Sequence, residues 1–131
     1  MNIRSATPED IPAILEMIQE LADYEKEPDA VENTPEMLNA TLFGENPRAF
    51  AEIIEEDRPV GIAIWFLNYS TWTGKHGLYL EDLYVRPEVR GKGYGKQMLI
   101  HLANKAVTNG WSRFEWSVLD WNKPAIDFYL S

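Results

Sequence analysis

The chain has 131 residues, of which 45% are hydrophobic and 25% charged, a composition typical of one globular domain. Its formal net charge of −9 argues against a nucleic-acid partner, because phosphate binding needs a basic face. The absence of cysteine excludes a disulfide framework, a thiolate metal site and a cysteine nucleophile, and it fits a cytoplasmic location. Because His76 and His101 are too few and too far apart for a metal cluster, we expect no metal. Without a leader or a long apolar run, we also expect a soluble chain with no membrane partner.

The first half of the chain predicts a strand, two helices and a hairpin. Residues 3–6 form the strand, and Thr7 is the N-cap of a helix whose apolar residues recur at helical spacing. These residues are Ile11, Ile14, Leu15, Ile18 and Leu21. Residues 34–42 predict a second short helix, and residues 50–54 and 60–67 predict the two strands of the hairpin.

The second half predicts a strand at each side of a long helix. Residues 68–76 are expected to form a polar loop and residues 78–85 a strand. The helix begins at the glycine-rich segment and ends before Asn109, with His101, Asn104 and Lys105 on its outer face. Residues 114–118 then predict a strand and residues 122–130 a last helix. We therefore expect residues 1–131 to form one domain, a mixed sheet covered by helices.

A glycine-rich segment between the strand at 78–85 and the long helix is the strongest functional motif. It runs Arg90-Gly91-Lys92-Gly93-Tyr94-Gly95-Lys96, and glycines at a helix N-terminus let main-chain amides approach a phosphate closely. Arg86, Arg90, Lys92 and Lys96 add positive charge, although a flexible loop with solvated charges explains the same residues. Gln97 after Gly95-Lys96 excludes a P-loop, and a lysine at position 96 excludes the dinucleotide-binding pattern.

These residues resemble those of the GNAT acetyltransferases, whose signature R/Q-x-x-G-x-G/A stands here as Arg90-x-x-Gly93-x-Gly95. The segments ELADYE, FLNYSTWTGKHGLYLEDLYV and LDWNKPAIDFY are similar to the spermidine/spermine acetyltransferase branch, with its diamine and thialysine acetyltransferase relatives. The resemblance implies an α/β (α+β) GNAT fold, with a mixed, mostly antiparallel central sheet flanked by helices. It also implies acetyl-CoA as cosubstrate and a small cationic amine as substrate.

The same resemblance implies roles for individual residues. Main-chain groups that pair with the pantetheine arm would be those of Leu83, Tyr84 and Val85. Residues that hold the remainder of acetyl-CoA would be Arg90, Gly91, Lys92, Gly93, Tyr94, Gly95, Lys96, Asn122, Lys123, Pro124 and Ala125. Tyr129 would donate a proton to the departing thiolate, and Glu81 would draw a proton from the ammonium group. Substrate-side positions would be Tyr24, Glu25, Glu81, Asp82, Glu115 and Trp116.

The chemistry gives Glu81 independent support. An alkyl ammonium, with a pKa of about 10.4, must lose a proton before its nitrogen can attack a thioester. Strict alternation along the strand places Glu81 on one face with Tyr79 and Leu83, and Asp82 on the other with Leu78 and Leu80; we expect apolar neighbours to raise the pKa of Glu81. The alternatives are an ion pair for either carboxylate and ordinary packing for Tyr129. Without cysteine, direct attack by the amine is the economical mechanism.

Two further features bear on the substrate. Acidic residues crowd positions 23–32, and such a rim either attracts a polycation or is simply solvated. Trp72 and Trp116 either line an aminoalkyl chain by cation–π contact or belong to the core.

The chain ends where members of this family continue into further strands, so we expect a C-terminally truncated fold. An uncovered edge strand favours a homodimer. Two alternatives to small-amine acetylation stay open: acetylation of protein amines, and a non-catalytic CoA-binding or interaction module.

Overall fold

The computed structural model describes residues 1–116, which build a five-stranded sheet with the strand order β1-β2-β3-β4-β5. The strands are β1 (Asn2–Ser5), β2 (Phe50–Glu55), β3 (Pro59–Ser70), β4 (Lys75–Val85) and β5 (Phe114–Trp116). Neighbours from β1 to β4 are antiparallel, whereas β5 runs parallel to β4. The predicted mixed, mostly antiparallel sheet is therefore confirmed.

Three helices cover the sheet: α1 (Ile11–Tyr24), α2 (Pro35–Phe43) and α3 (Tyr94–Thr108). Short 3-10 turns precede α1 and α3. The caps follow the sequence signals, since the Asp10 carboxylate accepts from the Thr7 amide at 2.7 Å and the Thr34 hydroxyl accepts from the Met37 amide at 3.1 Å. These bonds satisfy amides that a helix start leaves without a partner.

The two faces of the sheet carry separate hydrophobic cores. Under α1 and α2 the core contains Ile14, Met17, Leu38, Leu42, Ile53, Ile62 and Tyr84. Under α3 it contains Ile54, Ala63, Leu78, Leu80, Leu83, Val85, Met98 and Leu102. No helix within residues 1–116 has the length and hydrophobicity that crossing a membrane requires.

The predicted polar loop over residues 68–76 is wrong. β3 continues to Ser70 and β4 begins at Lys75, so that only residues 71–74 lie between the strands. Cross-strand pairing continues to Ser70 and Lys75, and the ring centroids of Tyr69 and His76 lie 5.2 Å apart. Polar residues fit here because this part of the sheet is exposed, unlike a strand that buries one face. Trp72, at the tip, is 97% exposed and is not a core residue.

The outer face predicted for α3 is also partly wrong, because His101 and Lys105 reach back to Glu52 on β2. Glu52 is only 2% exposed; its Oε1 atom lies 3.1 Å from His101 Nε2 and 3.3 Å from Lys105 Nζ. Its Oε2 atom accepts from the indole N–H of Trp65 at 3.3 Å. A buried carboxylate requires such partners, whereas Asn104 alone of the three predicted residues is fully exposed.

Candidate active site at the end of β4

The last residues of β4 offer main-chain groups on the side away from β3. The Arg86 amide donates to the Val60 carbonyl at 2.8 Å, and an antiparallel ladder alternates hydrogen-bonded with non-hydrogen-bonded pairs. Tyr84, opposite Ile62, therefore directs its main-chain groups toward β3. Leu83 and Val85 direct theirs toward the opposite edge. Of the three residues predicted to pair with a pantetheine arm, Leu83 and Val85 have the required direction.

Pairing between β4 and β5 covers only part of that edge. Leu78, Tyr79 and Leu80 pair with β5, and residues 81–85 have no β5 partner within the part of the chain that the structure describes. An extended ligand with amide groups pairs with an exposed strand edge in the same way as an additional strand. The main-chain groups of Leu83 and the amide of Val85 fit such a ligand, whereas the Val85 carbonyl already accepts from Arg90 Nε at 2.9 Å.

The glycine-rich segment forms a left-handed turn into α3. Gly91 and Gly93 have positive φ angles of 86° and 79°, a conformation that glycine adopts without the steric cost of a Cβ atom. Gly93 is the N-cap of α3, so the amides of the first helical turn lack helical carbonyl partners and the positive end of the helix dipole lies here. This geometry suits a pyrophosphate, as the sequence predicts.

The four cations predicted near this turn have different environments. Lys96 is exposed in the first turn of α3, where it adds positive charge to the helix start. The ammonium of Lys92 lies 3.2 Å from a Glu56 carboxylate oxygen, and Tyr94 donates its hydroxyl to the same oxygen. The prediction of phosphate-directed charge therefore fits Lys96 best.

Arg86 does not contribute a cation to the turn. It is 6% exposed, forms ion pairs with Glu16 and Glu20 on α1, and donates from Nε to the Pro59 carbonyl at 3.2 Å. Tyr84 donates its hydroxyl to Glu20 at 2.8 Å, and burial together with this hydrogen bond raises the pKa of Tyr84. Arg86 and Tyr84 therefore hold α1 against the end of β4 through Glu16 and Glu20. The sequence analysis did not predict this role of Glu16 and Glu20.

A β-bulge at Glu81 changes the faces predicted for β4. Trp65 pairs with Leu80 and Ile64 pairs with Asp82, which leaves Glu81 as an additional residue. Such a residue reverses the alternation beyond it. Leu83 consequently shares the α3 face with Leu78 and Leu80, and the prediction that it lies opposite to them is wrong.

The bulge also separates the environments of the two acids. Glu81 is exposed rather than enclosed by apolar neighbours, whereas Asp82 is half-buried. Burial raises the pKa of Asp82 to about 6, with further contributions from the charges of Glu81 and Glu25. The residue just after α1, Glu25, also has a pKa raised by burial. The charges of Glu25 and Glu81 therefore act on Asp82, and we call these three residues the carboxylate cluster; burial raises the pKa of Asp82, the more buried of the two acids on β4.

The other predicted substrate-side residues have different environments. Tyr24, 41% exposed, ends α1, and its ring centroid lies 5.5 Å from the guanidinium carbon of Arg90. On β5, Glu115 accepts from the Asn68 side-chain amide at 3.1 Å and pairs with Arg113 at 3.4 Å. Trp116 is partly exposed and packs against Phe114, 5.4 Å between ring centroids. Glu115 is therefore already bound by neighbours, unlike a carboxylate held for substrate alone.

Several predicted residues lie outside the described residues 1–116. They are Asn122, Lys123, Pro124 and Ala125 for acetyl-CoA, and Tyr129 for proton donation. Their roles stay predictions.

Comparison with known proteins agrees with this geometry. The model of the Acetyltransferase (GNAT) family matches residues 14–131. The chain is 44% identical to a thialysine N-epsilon-acetyltransferase of Sus scrofa, across 97% of this chain and 79% of the relative. It is 39% identical to the human spermidine/spermine N(1)-acetyltransferase-like protein 1, across 99% of this chain and 20% of that protein.

Solved structures support the fold. The crystal structure of a probable acetyltransferase superposes with a TM-score of 0.84 at 21% identity, covering 98% of this chain and 86% of that one. Together with the match to the family model over residues 14–131, this shows that the chain belongs to the GNAT acetyltransferase family.

Proposed function

We propose that this enzyme transfers the acetyl group of acetyl-CoA to a primary amine of a small cationic molecule, such as a polyamine, a diamine or a thialysine or lysine analogue. The observation that carries the proposal is the carboxylate cluster of Glu25, Glu81 and Asp82, which lies beside the part of β4 that has no β5 partner within residues 1–116. Negative charge at this place attracts an ammonium group. The Sus scrofa relative supports thialysine as the first amine to test, and the human relative supports polyamines as the second.

The cosubstrate fits the end of β4 and the start of α3. Leu83 and Val85 would pair with the pantetheine amides, and the amides from Gly91 to Lys96 would hold the pyrophosphate. We retain Asn122, Lys123, Pro124 and Ala125 as proposed contacts. Acetyl-CoA supplies a thioester, whose carbonyl carbon accepts the amine nitrogen while the C–S bond breaks.

The residues of this chain would accept and donate the protons of the reaction. The substrate ammonium would give one proton to the carboxylate cluster, in which Glu81 is exposed to solvent and Asp82 is half-buried. The freed nitrogen lone pair would form the new C–N bond while the C–S bond breaks, and Tyr129 would give its proton to the departing thiolate sulfur. The nitrogen would then lose a second proton, which restores the Tyr129 hydroxyl and leaves a neutral amide and a free thiol. A carboxylate with a pKa of about 6, as at Asp82, is a better base than an ordinary aspartate and is still ionised at pH 7.

A small amine is favoured over a protein amine by the relatives, whose names specify thialysine in one case and spermidine or spermine in the other.

The test is acetyl-CoA-dependent release of free thiol with thialysine, lysine, spermidine, putrescine and a histone-like peptide as amines. We expect turnover with at least one small amine and none with the peptide. No turnover with any amine, while calorimetry still detects acetyl-CoA binding, contradicts the proposal and supports the non-catalytic alternative.

Matched variants test the assigned roles. Glu81→Gln and Asp82→Asn each remove one negative charge with little change in shape, and each is expected to lower kcat/KM for the amine about 100-fold. Tyr129→Phe is expected to lower kcat by a similar factor and to leave acetyl-CoA affinity within about threefold. Equal activity of Tyr129→Phe and the parent chain contradicts the role of Tyr129.

We also propose that residues 1–131 act as one domain, because the family match spans residues 14–131. The homodimer and the cytoplasmic location stay predictions, which light scattering and fractionation of cells test directly.

A further inference from the structure

The side chain of Arg90 contacts the end of α1 and the end of β4. Its guanidinium carbon lies 5.5 Å from the ring centroid of Tyr24 and 5.4 Å from that of Tyr84. Its Nε atom donates to the carbonyl of Val85 at 2.9 Å. Both distances to the rings are within the range of cation–π contacts. Arg90 therefore joins the glycine-rich turn to α1 and to β4 at the same time.

The two elements that Arg90 joins belong to different halves of the proposed site. The main chain after Arg90 forms the turn proposed to hold the pyrophosphate, with Gly91 and Gly93 at positive φ. Tyr24 is the last residue of α1, and the next residue, Glu25, belongs to the carboxylate cluster with Asp82. Displacement of Tyr24 would therefore move the acid that follows it.

The two tyrosines differ in the contacts, apart from those with Arg90, that keep them in place. Tyr84 is buried in the core under α1 and donates its hydroxyl to Glu20, so its position has other support. Tyr24 is 41% exposed and is the last residue of α1, so its ring has less support from packing than the ring of Tyr84. Arg90 is consequently more important for the placement of Tyr24 than for that of Tyr84.

We propose that Arg90 is a positioning residue for amine binding. Through Tyr24, it holds the end of α1 and Glu25 in place against β4. It thereby links this side of the site to the glycine-rich turn that would bind the cosubstrate. This inference rests on the proposed function of the site. It assigns the signature arginine to the substrate side and leaves the pyrophosphate to main-chain amides and Lys96. If acetyl-CoA orders the glycine-rich turn when it binds, it would then also order Tyr24 and Glu25 on the amine side of the site.

The test compares variants at both ends of the contact in the full chain, with thiol release under saturating acetyl-CoA as the first measurement. Arg90→Gln removes the charge and is expected to raise KM for thialysine, or for the best amine of the panel, about tenfold. Tyr24→Leu removes the ring and is expected to have a similar effect. Tyr24→Phe retains the ring and should therefore raise KM less than Tyr24→Leu does, which separates the effect of the ring from that of the hydroxyl.

The double variant measures whether the two residues act through one another. If Arg90 acts through Tyr24, adding Tyr24→Leu to Arg90→Gln raises KM by less than about threefold, because the contact is already lost. Multiplicative effects of the two changes, about 100-fold together, overturn the inference. Calorimetric titration of the amine into chain saturated with CoA checks the same comparison without chemistry.

The binding of acetyl-CoA distinguishes this role from that of a phosphate ligand. Arg90→Gln is expected to weaken acetyl-CoA binding by less than about threefold, so that the amine KM changes more than the cosubstrate affinity. A loss of acetyl-CoA affinity of about tenfold or more, with an unchanged amine KM, overturns the inference and assigns Arg90 to the pyrophosphate. A parent chain that binds acetyl-CoA but acetylates no amine contradicts the proposed function itself. Multiplicative effects in an active enzyme contradict only the role of Arg90.

Discussion

Glu81 and Asp82 are consecutive residues of β4, yet Glu81 is exposed and Asp82 is half-buried beside the end of α1. The bulge at Glu81 produces this difference, because it gives one residue of the pair no opposite partner on β3. Burial raises the pKa of Asp82, whose side chain is the more enclosed of the two, while Glu81 stays in water.

Stability should depend on pH through Asp82. Its pKa is about 6 in the folded chain, against an ordinary value of 3.8, so the folded state binds this proton more tightly than the unfolded chain. Protonated Asp82 therefore stabilises the fold below about pH 4, and this contribution is lost as the pH rises through about 6. From pH 4 to pH 8, we expect the free energy of unfolding of Asp82→Asn to rise relative to the parent chain by about 2–3 kcal/mol.

Urea unfolding at several pH values measures this difference. Asp57→Asn, which removes an exposed acid in the β2–β3 turn, is the matched control and should differ from the parent by less than about 0.5 kcal/mol at each pH. A constant difference between Asp82→Asn and the parent chain from pH 4 to pH 8 would contradict the pKa assigned to Asp82.

The turn before α3 should require glycine for both stability and cosubstrate binding. Gly93 has φ of 79° and Gly110, after α3, has φ of 72°. Alanine at either position is strained by about 1 kcal/mol in the free energy of unfolding. Only Gly93→Ala is expected to weaken acetyl-CoA binding, by about tenfold in calorimetry. Equal affinities for Gly93→Ala and Gly110→Ala would exclude this turn from the cosubstrate site.

Lys96 should attract the phosphates of the cosubstrate. Lys96→Gln is expected to raise the Kd for acetyl-CoA about fivefold and to reduce its dependence on salt, because an exposed charge acts through a screened field. Lys75→Gln, an exposed lysine at the start of β4, is the control and should change the Kd less than twofold. If both variants bind alike at low and high salt, Lys96 has no part in cosubstrate binding.

The buried carboxylate of Glu52 should contribute more to stability than an exposed acid in a similar ion pair. Glu52→Gln removes the charge that His101 and Lys105 contact, and we expect the free energy of unfolding to fall by about 2 kcal/mol. The side chains of Arg58 and Glu88 form a pair that is 53% and 49% exposed, so Glu88→Gln should cost less than about 0.5 kcal/mol. Chemical denaturation of the two variants compares them, and equal losses would show that burial of Glu52 has no special cost.

Local sequence patterns predicted most of the fold. The caps at Thr7 and Thr34 and the helical spacing of α1 and α3 depend on neighbours within a few residues, which a sequence displays directly. The environment of Arg86 was not predictable in this way, because its partners Glu16 and Glu20 lie 70 and 66 positions away. The same limit applies to Glu52, which His101 contacts from 49 positions away.

The sequence predicted which residues form the candidate site, but it did not predict the directions of their side chains. A period of two has no place for an additional residue, so the sequence could not predict that Asp82, and not Glu81, would be the more buried acid. Similarly, the pattern Arg90-x-x-Gly93-x-Gly95 indicated a turn that binds anions, whereas the contacts of Arg90 with Tyr24 and Tyr84 depend on the packing of α1.

The bulge at Glu81 also determines which changes of length β4 tolerates. Deletion of Glu81 would remove the bulge and leave Leu80 and Asp82 as neighbours opposite Trp65 and Ile64, which already pair with them. Leu83 and Val85 would keep their positions in the core beneath α3, and Tyr84 would keep its position against α1. A further residue inserted into the paired part of β4 would instead make every side chain beyond it exchange faces. The fold should therefore tolerate the loss of Glu81 better than an insertion beside it.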